Sequence, residues 1–278
     1  MSLRLGCTMF GAVAMAVSLS AVAQAEMDAA TEAKVKAALA SSVRSDDERA
    51  RDAFRHPLET LKFFGLKDDM AVMEIWPSGG WYTKVIAPVL KDHGKYVAAH
   101  WDPDAPSEFM KKAVASYKEM LAANESLSKT EVAVLNPSTN KMTPVPAGSL
   151  DMVVTFRNIH NWMASGAQDA MFKSFYDSLK PGGYLGVVEH RASADKEQDP
   201  KAESGYVRED YAVALAEKAG FKKVAASDVN NNAKDTKDYP KGVWTLPPNY
   251  REGDMDREKF TAIGESDRFT LLFQKPAM

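Results

Sequence analysis

The chain has 278 residues, with 35 basic against 38 acidic side chains and a net charge of −3. No basic block stands out, so nucleic acid is not expected as a partner. The one cysteine, Cys7, lies in the N-terminal leader, so the rest of the chain has neither a disulfide nor a thiolate metal site.

Residues 1–25 read as a secretory signal peptide. Arg4 is the only charge, Phe10 to Ala23 is apolar apart from serines, and Ala23-Gln-Ala25 is a small-x-small cleavage site before Glu26. The apolar core is short for a span of about 20 residues, so cleavage is expected, with no stable membrane anchor afterwards and a periplasmic or secreted product. What remains is long enough for one large α/β domain.

Residues 26–66 form a charged, Ala-rich arm. Val35, Leu39 and Val43, then Phe54, Leu58 and Leu61, recur at helical spacing, and His56-Pro57 marks a break. This arm either packs across the sheet or covers a ligand mouth. Residues 67–278 then alternate strand and helix. Ala71-Val-Met-Glu-Ile-Trp-Pro-Ser-Gly-Gly-Trp-Tyr-Thr83 is an apolar strand ending in an acid, a Pro/Ser/Gly turn, and a helix expected from Trp81 to Lys91. Such a turn brings backbone N–H groups and a helix N-terminus against a ligand. Gly94 to Asp102 reads as a second strand ending in a carboxylate, about 20 residues beyond Gly80, the spacing at which an acid meets a ribose diol.

Ser107 to Ala123 is an amphipathic helix, and Glu131 to Asn136 a short third strand. A Pro/Gly loop feeds a buried strand, Met152 to Phe156, followed by a polar and aromatic cluster through Trp162. Ala167 to Leu179 is helical, Lys180 to Gly183 a turn, and Tyr184 to Val188 a strand ending in Glu189-His190-Arg191. Arg208 to Ala219 is a helix stopped by Gly220, Phe221 to Ala225 a strand, and Phe269 to Phe273 the last strand. The stretch 230–267 carries no periodicity. This alternation implies a mostly parallel sheet covered on both faces.

Three stretches carry a resemblance. Pro144-Val-Pro-Ala-Gly-Ser-Leu-Asp151 resembles the approach to the fourth strand of class I S-adenosylmethionine-dependent methyltransferases. Leu179-Lys-Pro-Gly-Gly-Tyr-Leu-Gly-Val-Val-Glu189 resembles their turn into the fifth, and Ala219-Gly-Phe221 the start of their sixth. More narrowly, the chain resembles a little-characterised bacterial group of predicted methyltransferases with a secretion signal. The resemblance implies a three-layer, Rossmann-like α/β sheet of order 3-2-1-4-5-7-6 with the last strand antiparallel, and S-adenosylmethionine as cofactor. It also implies methyl transfer to a small-molecule acceptor.

Carried across, Glu74 matches the acid ending the first strand, Asp102 the ribose acid, and Asn158 the segment beside the methionine moiety. The family's loop reads acid-x-Gly-x-Gly-x-Gly. Here Trp76 and Ser78 replace two glycines, Gly79 is extra and Gly80 remains, so loop geometry is expected to depart from the pattern. Asn136, or a later polar residue before Thr143, stands where the family has an adenine-side acid.

His160 and His190 each follow a strand ending at the ligand edge and are candidate general bases, with Glu189 as a neighbour that tunes them. No ligand pair has metal-motif spacing, so no metal site is expected. Arg157 and Arg191 are candidates to clamp a substrate carboxylate or phosphate. Trp76, Trp81, Tyr82 and Trp162 sit on ligand-side turns, where aromatic faces either stabilise a sulfonium or anchor packing. Two other readings stand beside methyl transfer: an exported, non-catalytic ligand-binding protein of the same fold, and a nicotinamide oxidoreductase, suggested only by the βαβ start.

Overall fold

The computed structural model describes residues 26–277, so the proposed signal peptide lies outside the described residues. The arm is four helices: α1 (Ala29–Ala40), α2 (Asp46–Ala50), α3 (Asp52–Arg55) and α4 (Pro57–Phe64). Asp28 caps α1 and a Ser45/Glu48 capping box opens α2. The break expected at His56-Pro57 is present: His56 takes a left-handed conformation and Pro57 starts α4.

The remaining elements run β1 (Ala71–Ile75), α5 (Thr83–Leu90), β2 (Lys95–His100), α6 (Glu108–Ala122), β3 (Glu131–Val134), β4 (Leu150–Phe156), α7 (Ile159–Ser165), α8 (Gln168–Ser178), β5 (Leu179–His190), α9 (Glu209–Lys218), β6 (Lys222–Ser227), α10 (Arg257–Ile263) and β7 (Arg268–Gln274). The strands form one sheet of order β3-β2-β1-β4-β5-β7-β6. β1 pairs in parallel with β2 and β4, and β7 runs antiparallel between β5 and β6. This is the order and direction that the resemblance implies.

β1 shows why the sheet is buried on both sides. Met73 and Ile75 join one core with Val153, Trp162, Phe172 and Phe175, beneath α7 and α8. Val72 faces the other core with Val35, Leu61, Phe64 and Val85, beneath the arm and α5. α4 lies so close to β5 that a Cβ on Gly186 would come within 2.7 Å of the Phe64 ring. The arm is therefore built into the sheet's cover. Among the described residues no helix is long and apolar enough to cross a membrane.

Four local expectations are corrected. α5 starts at Thr83, because the residues before it are spent in the turn after β1. Lys180 to Gly183 is not a free turn but part of β5, bulged between the pairs Leu150–Leu179 and Met152–Tyr184. The Gly182 N–H donates to the Lys275 carbonyl, which stitches the bulge to the end of β7. β3 stops at Val134, and Asn136 bridges Lys141 around a tight turn. The cluster after β4 holds an unforeseen helix, α7, whose Ile159, Trp162 and Met163 are buried on one face.

Candidate functional site

The carboxyl ends of β1, β2 and β4 open into a cavity of about 940 Å³, walled by Trp76, Trp81, Trp101, Phe109 and Phe156 with Glu74, Asn136 and Asn158. A polar chamber of about 410 Å³ adjoins it, lined by Arg51, Arg55, His190, Glu265 and the 243–249 segment. Ser78, Trp81, Arg157, His160, Trp244 and Asn249 line both. Crevices at strand carboxyl ends are where open α/β sheets bind ligands.

The turn after β1 is left-handed at Trp76 (φ 47°), Ser78 (φ 54°) and Gly80 (φ 79°), the three positions where the resemblance puts glycine. Two non-glycine residues thus hold a conformation costing roughly 1–2 kcal/mol each. The Trp76 indole turns inward, its Nε1 donates to the Leu135 carbonyl at 2.8 Å, and its ring lies 5.5 Å from that of Trp101 and 6.0 Å from that of Trp162. Gly80 does not reach the cavity; a Cβ there would stand 2.5 Å from Met120 Cε. Gly79 lines the smaller chamber.

Glu74 is buried against the face shared with α5. Its Oε2 accepts from the Tyr96 hydroxyl and from Thr83 Oγ1 at 3.2 Å, and burial pushes its carboxyl up to about 7. Asn158 ties β4 to β1, donating from Nδ2 to the Ile75 carbonyl at 2.9 Å. Asn136 is held by its own turn, accepting from the Ser138 N–H at 3.1 Å. Asp102 does not line the cavity. Its carboxylate pairs with Lys141 at 2.8 Å, which holds it below the usual carboxylate range, and the adjacent Trp101 faces the cavity in its place.

His160 and His190 come together, ring centroids 5.5 Å apart, around the fully buried Glu189. Glu189 Oε1 meets His160 Nδ1 at 3.1 Å and accepts the His190 N–H at 2.8 Å, while Oε2 accepts the Ile159 N–H at 2.6 Å. With Nδ1–H directed at the carboxylate, His160 Nε2 is the free acceptor, the geometry of an oriented general base. His190 Nδ1 meets Ser266 Oγ at 2.5 Å, and burial, then His160 and nearby arginines, push it well below the ordinary histidine value. One nitrogen of each histidine and an oxygen of Glu189 lie within 4.8 Å of one another, a three-ligand grouping that sequence spacing did not reveal.

Of the two arginine candidates, Arg191 is engaged by Glu209 at 3.3 Å, Asp267 at 3.6 Å and Asn231. Among the described residues Arg157 has no such partner, and it stands between the chambers. Trp81 anchors the arm, donating from Nε1 to the Glu48 carbonyl at 3.2 Å beneath the Arg55 guanidinium, and it also lines both chambers. Sequence reasoning missed Arg51, Arg55, Trp244 and Asn249, which reach the chambers from the arm and from the aperiodic 230–267 stretch.

No family model and no curated protein matches this sequence. Solved structures do match. A SAM-dependent methyltransferase from Aquifex aeolicus is 19% identical over 88% of this chain and 98% of its own, with TM-score 0.53. The fold is that of the class I methyltransferases. The [4+2]-cyclase SpnF is 15% identical over 88% of this chain and 94% of its own, with TM-score 0.57. An arsenic(III) S-adenosylmethionine methyltransferase from Chlamydomonas reinhardtii is 13% identical over 87% of this chain and 73% of its own, with TM-score 0.50. At these identities the likeness is one of fold, and the cyclase shows that this fold also carries a protein named for another reaction.

Proposed function

We propose that the protein transfers a methyl group from S-adenosylmethionine to a small-molecule acceptor. The observation that carries this is the wall shared by the two chambers. It places His160, oriented by Glu189, where an aromatic cavity at the β1/β4 rim meets a polar one. The larger cavity suits a nucleoside sulfonium in size and chemistry. Its volume is in the ligand-site range, its indoles suit a cation, and the Trp101 indole N–H is a buried donor with no partner among the described residues. Glu74 and Asn158 would stand nearest the amino-acid portion, and Asn136 with Trp101 beside the nucleoside. Once bound, the cofactor supplies an already activated methyl carbon. The protein's part is to hold the acceptor in line, exclude water and let His160 take the acceptor's proton.

Calorimetry with S-adenosylmethionine, S-adenosylhomocysteine and NAD tests this reading. The expected result is saturable binding of the first two and none of NAD; His160→Asn should lower turnover and leave S-adenosylhomocysteine affinity in place. NAD alone would support an oxidoreductase. The non-catalytic reading draws support from Asp102, paired with Lys141 away from the cavity, and from Trp76. Absence of heat with all three ligands would favour it. We further propose export by residues 1–25. Fractionation should find the shortened chain outside the cytoplasm; the intact chain in the cytosol would contradict export.

A further inference from the structure

We propose, resting on the methyl-transfer reading, that the acceptor carries an oxyanion, a carboxylate or a phosphate, which Arg157 binds with Arg51 and Arg55 at the floor of the smaller chamber. Arg157 follows the last residue of β4. Its N–H is bonded to the Val188 carbonyl at 2.7 Å and its backbone is left-handed, φ 61°, which fixes where the side chain departs. Among the described residues its guanidinium makes no hydrogen bond and no ion pair. The neighbouring arginines are all engaged on one carboxylate: Glu265 takes Arg51 Nε at 2.6 Å, Arg55 Nε at 3.1 Å and a terminal nitrogen of Arg268 at 3.1 Å.

Four guanidinium groups therefore crowd Glu265, and one of them is left over. Burial, then repulsion from Arg268, lowers Arg157 from its usual value, and burial, then Arg157, lowers Arg55 to about 9. Glu74 also interacts with Arg157, but burial pushes its carboxyl up to about 7. Arg157 is half-buried with, among the described residues, no ion pair of its own, and an anion in the chamber would supply what Glu265, already paired with three other arginines, cannot. The guanidinium fork suits a two-oxygen anion.

The same field argues against a metal ion held by His160, Glu189 and His190. Both Glu189 oxygens already accept backbone N–H groups, and Arg157, Arg268 and Arg55 act directly on His190. Because Arg157 and His160 share the dividing wall, an acceptor anchored by its anionic group would present its nucleophile beside His160.

Calorimetric titration of the purified protein with inorganic phosphate and, separately, with benzoate tests this, and whichever probe saturates names the oxyanion. The expected result is saturable binding of at least one. Arg157→Gln should weaken it about tenfold or more while moving S-adenosylhomocysteine affinity less than about twofold. Arg157→Lys should recover only part of the loss, since it restores charge without the fork. If Arg157→Gln does not fold, Arg51→Gln carries the same test, with a weakening of about threefold. Saturation by neither probe, or unchanged affinity in the variant, overturns the proposal. Anion binding without S-adenosylhomocysteine binding would instead strike the methyl-transfer reading alone.

Discussion

Replacing Glu189 with glutamine probes the framework that brings β4 and β5 together. The carboxylate is fully buried and accepts three donors: Ile159 N–H at 2.6 Å, His190 N–H at 2.8 Å and His160 Nδ1 at 3.1 Å. Glutamine has the same shape but only one acceptor oxygen. The lesser loss puts the new NH₂ against Ile159 N–H and keeps the other two bonds in weaker, neutral form. One unsatisfied buried donor costs roughly 1–3 kcal/mol, and loss of charge assistance adds to it, so about 3 kcal/mol in total is expected. At about 2–4 °C per kcal/mol for a chain of this size, Glu189→Gln should melt about 6–12 °C below wild type. Turnover should fall about a hundredfold, because the imidazolium of His160 loses its counter-charge. Scanning calorimetry beside a methyl-transfer assay reads both effects. A variant melting within about 2 °C of wild type would refute the reasoning, since three buried donors cannot lose a carboxylate at no cost.

The turn after β1 and its acid yield three more predictions. Ser78→Gly should raise stability by about 0.5–1 kcal/mol in urea unfolding, because glycine relieves the left-handed φ of 54°; a loss would show that the turn is not strained there. Trp76→Phe keeps a ring but strands the Leu135 carbonyl, so a loss of about 2–3 kcal/mol is expected, and a neutral result would mean that the indole bond carries nothing. Glu74 has its carboxyl raised from 4.5 to about 7, so its stabilising contribution is full below pH 4.5 and is lost as pH rises through 7. Glu74→Gln lacks this decline. Its melting temperature relative to wild type should climb across that window and then level, whereas a constant offset would contradict the assigned burial.

Much of the sheet was legible because its strands are short apolar runs, each closed by a polar residue or a Pro/Gly turn and separated by helices of ordinary length. Burial on both faces demands that pattern. α7 was not legible: it is seven residues long, no side chain caps it, and its apolar face reads equally well as a strand end. Glu74, Asn136, Asn158 and His160 were placed at the cavity because each follows or ends a strand at one rim. The same reasoning put Asp102 there too, but its carboxylate pairs instead with Lys141, from a turn distant in sequence, and does not line the cavity. Arg51 and Arg55 could be seen only as charges on a helical arm. Their role depends on where the arm docks, through Trp81 on the Glu48 carbonyl and through Glu265 from the far end of the chain. The sequence flagged Trp76 as out of pattern, but not that its indole would bond inward to Leu135 and leave the cavity open.

The crystal structure of the protein with S-adenosylhomocysteine bound tests the central claim most directly. The account predicts the nucleoside among Trp76, Trp101 and Asn136, the amino-acid portion near Glu74 and Asn158, and the sulfur turned toward the wall of Arg157 and His160. Density for the ligand elsewhere on the molecule, or a saturated crystal with that chamber still filled by solvent, would contradict it.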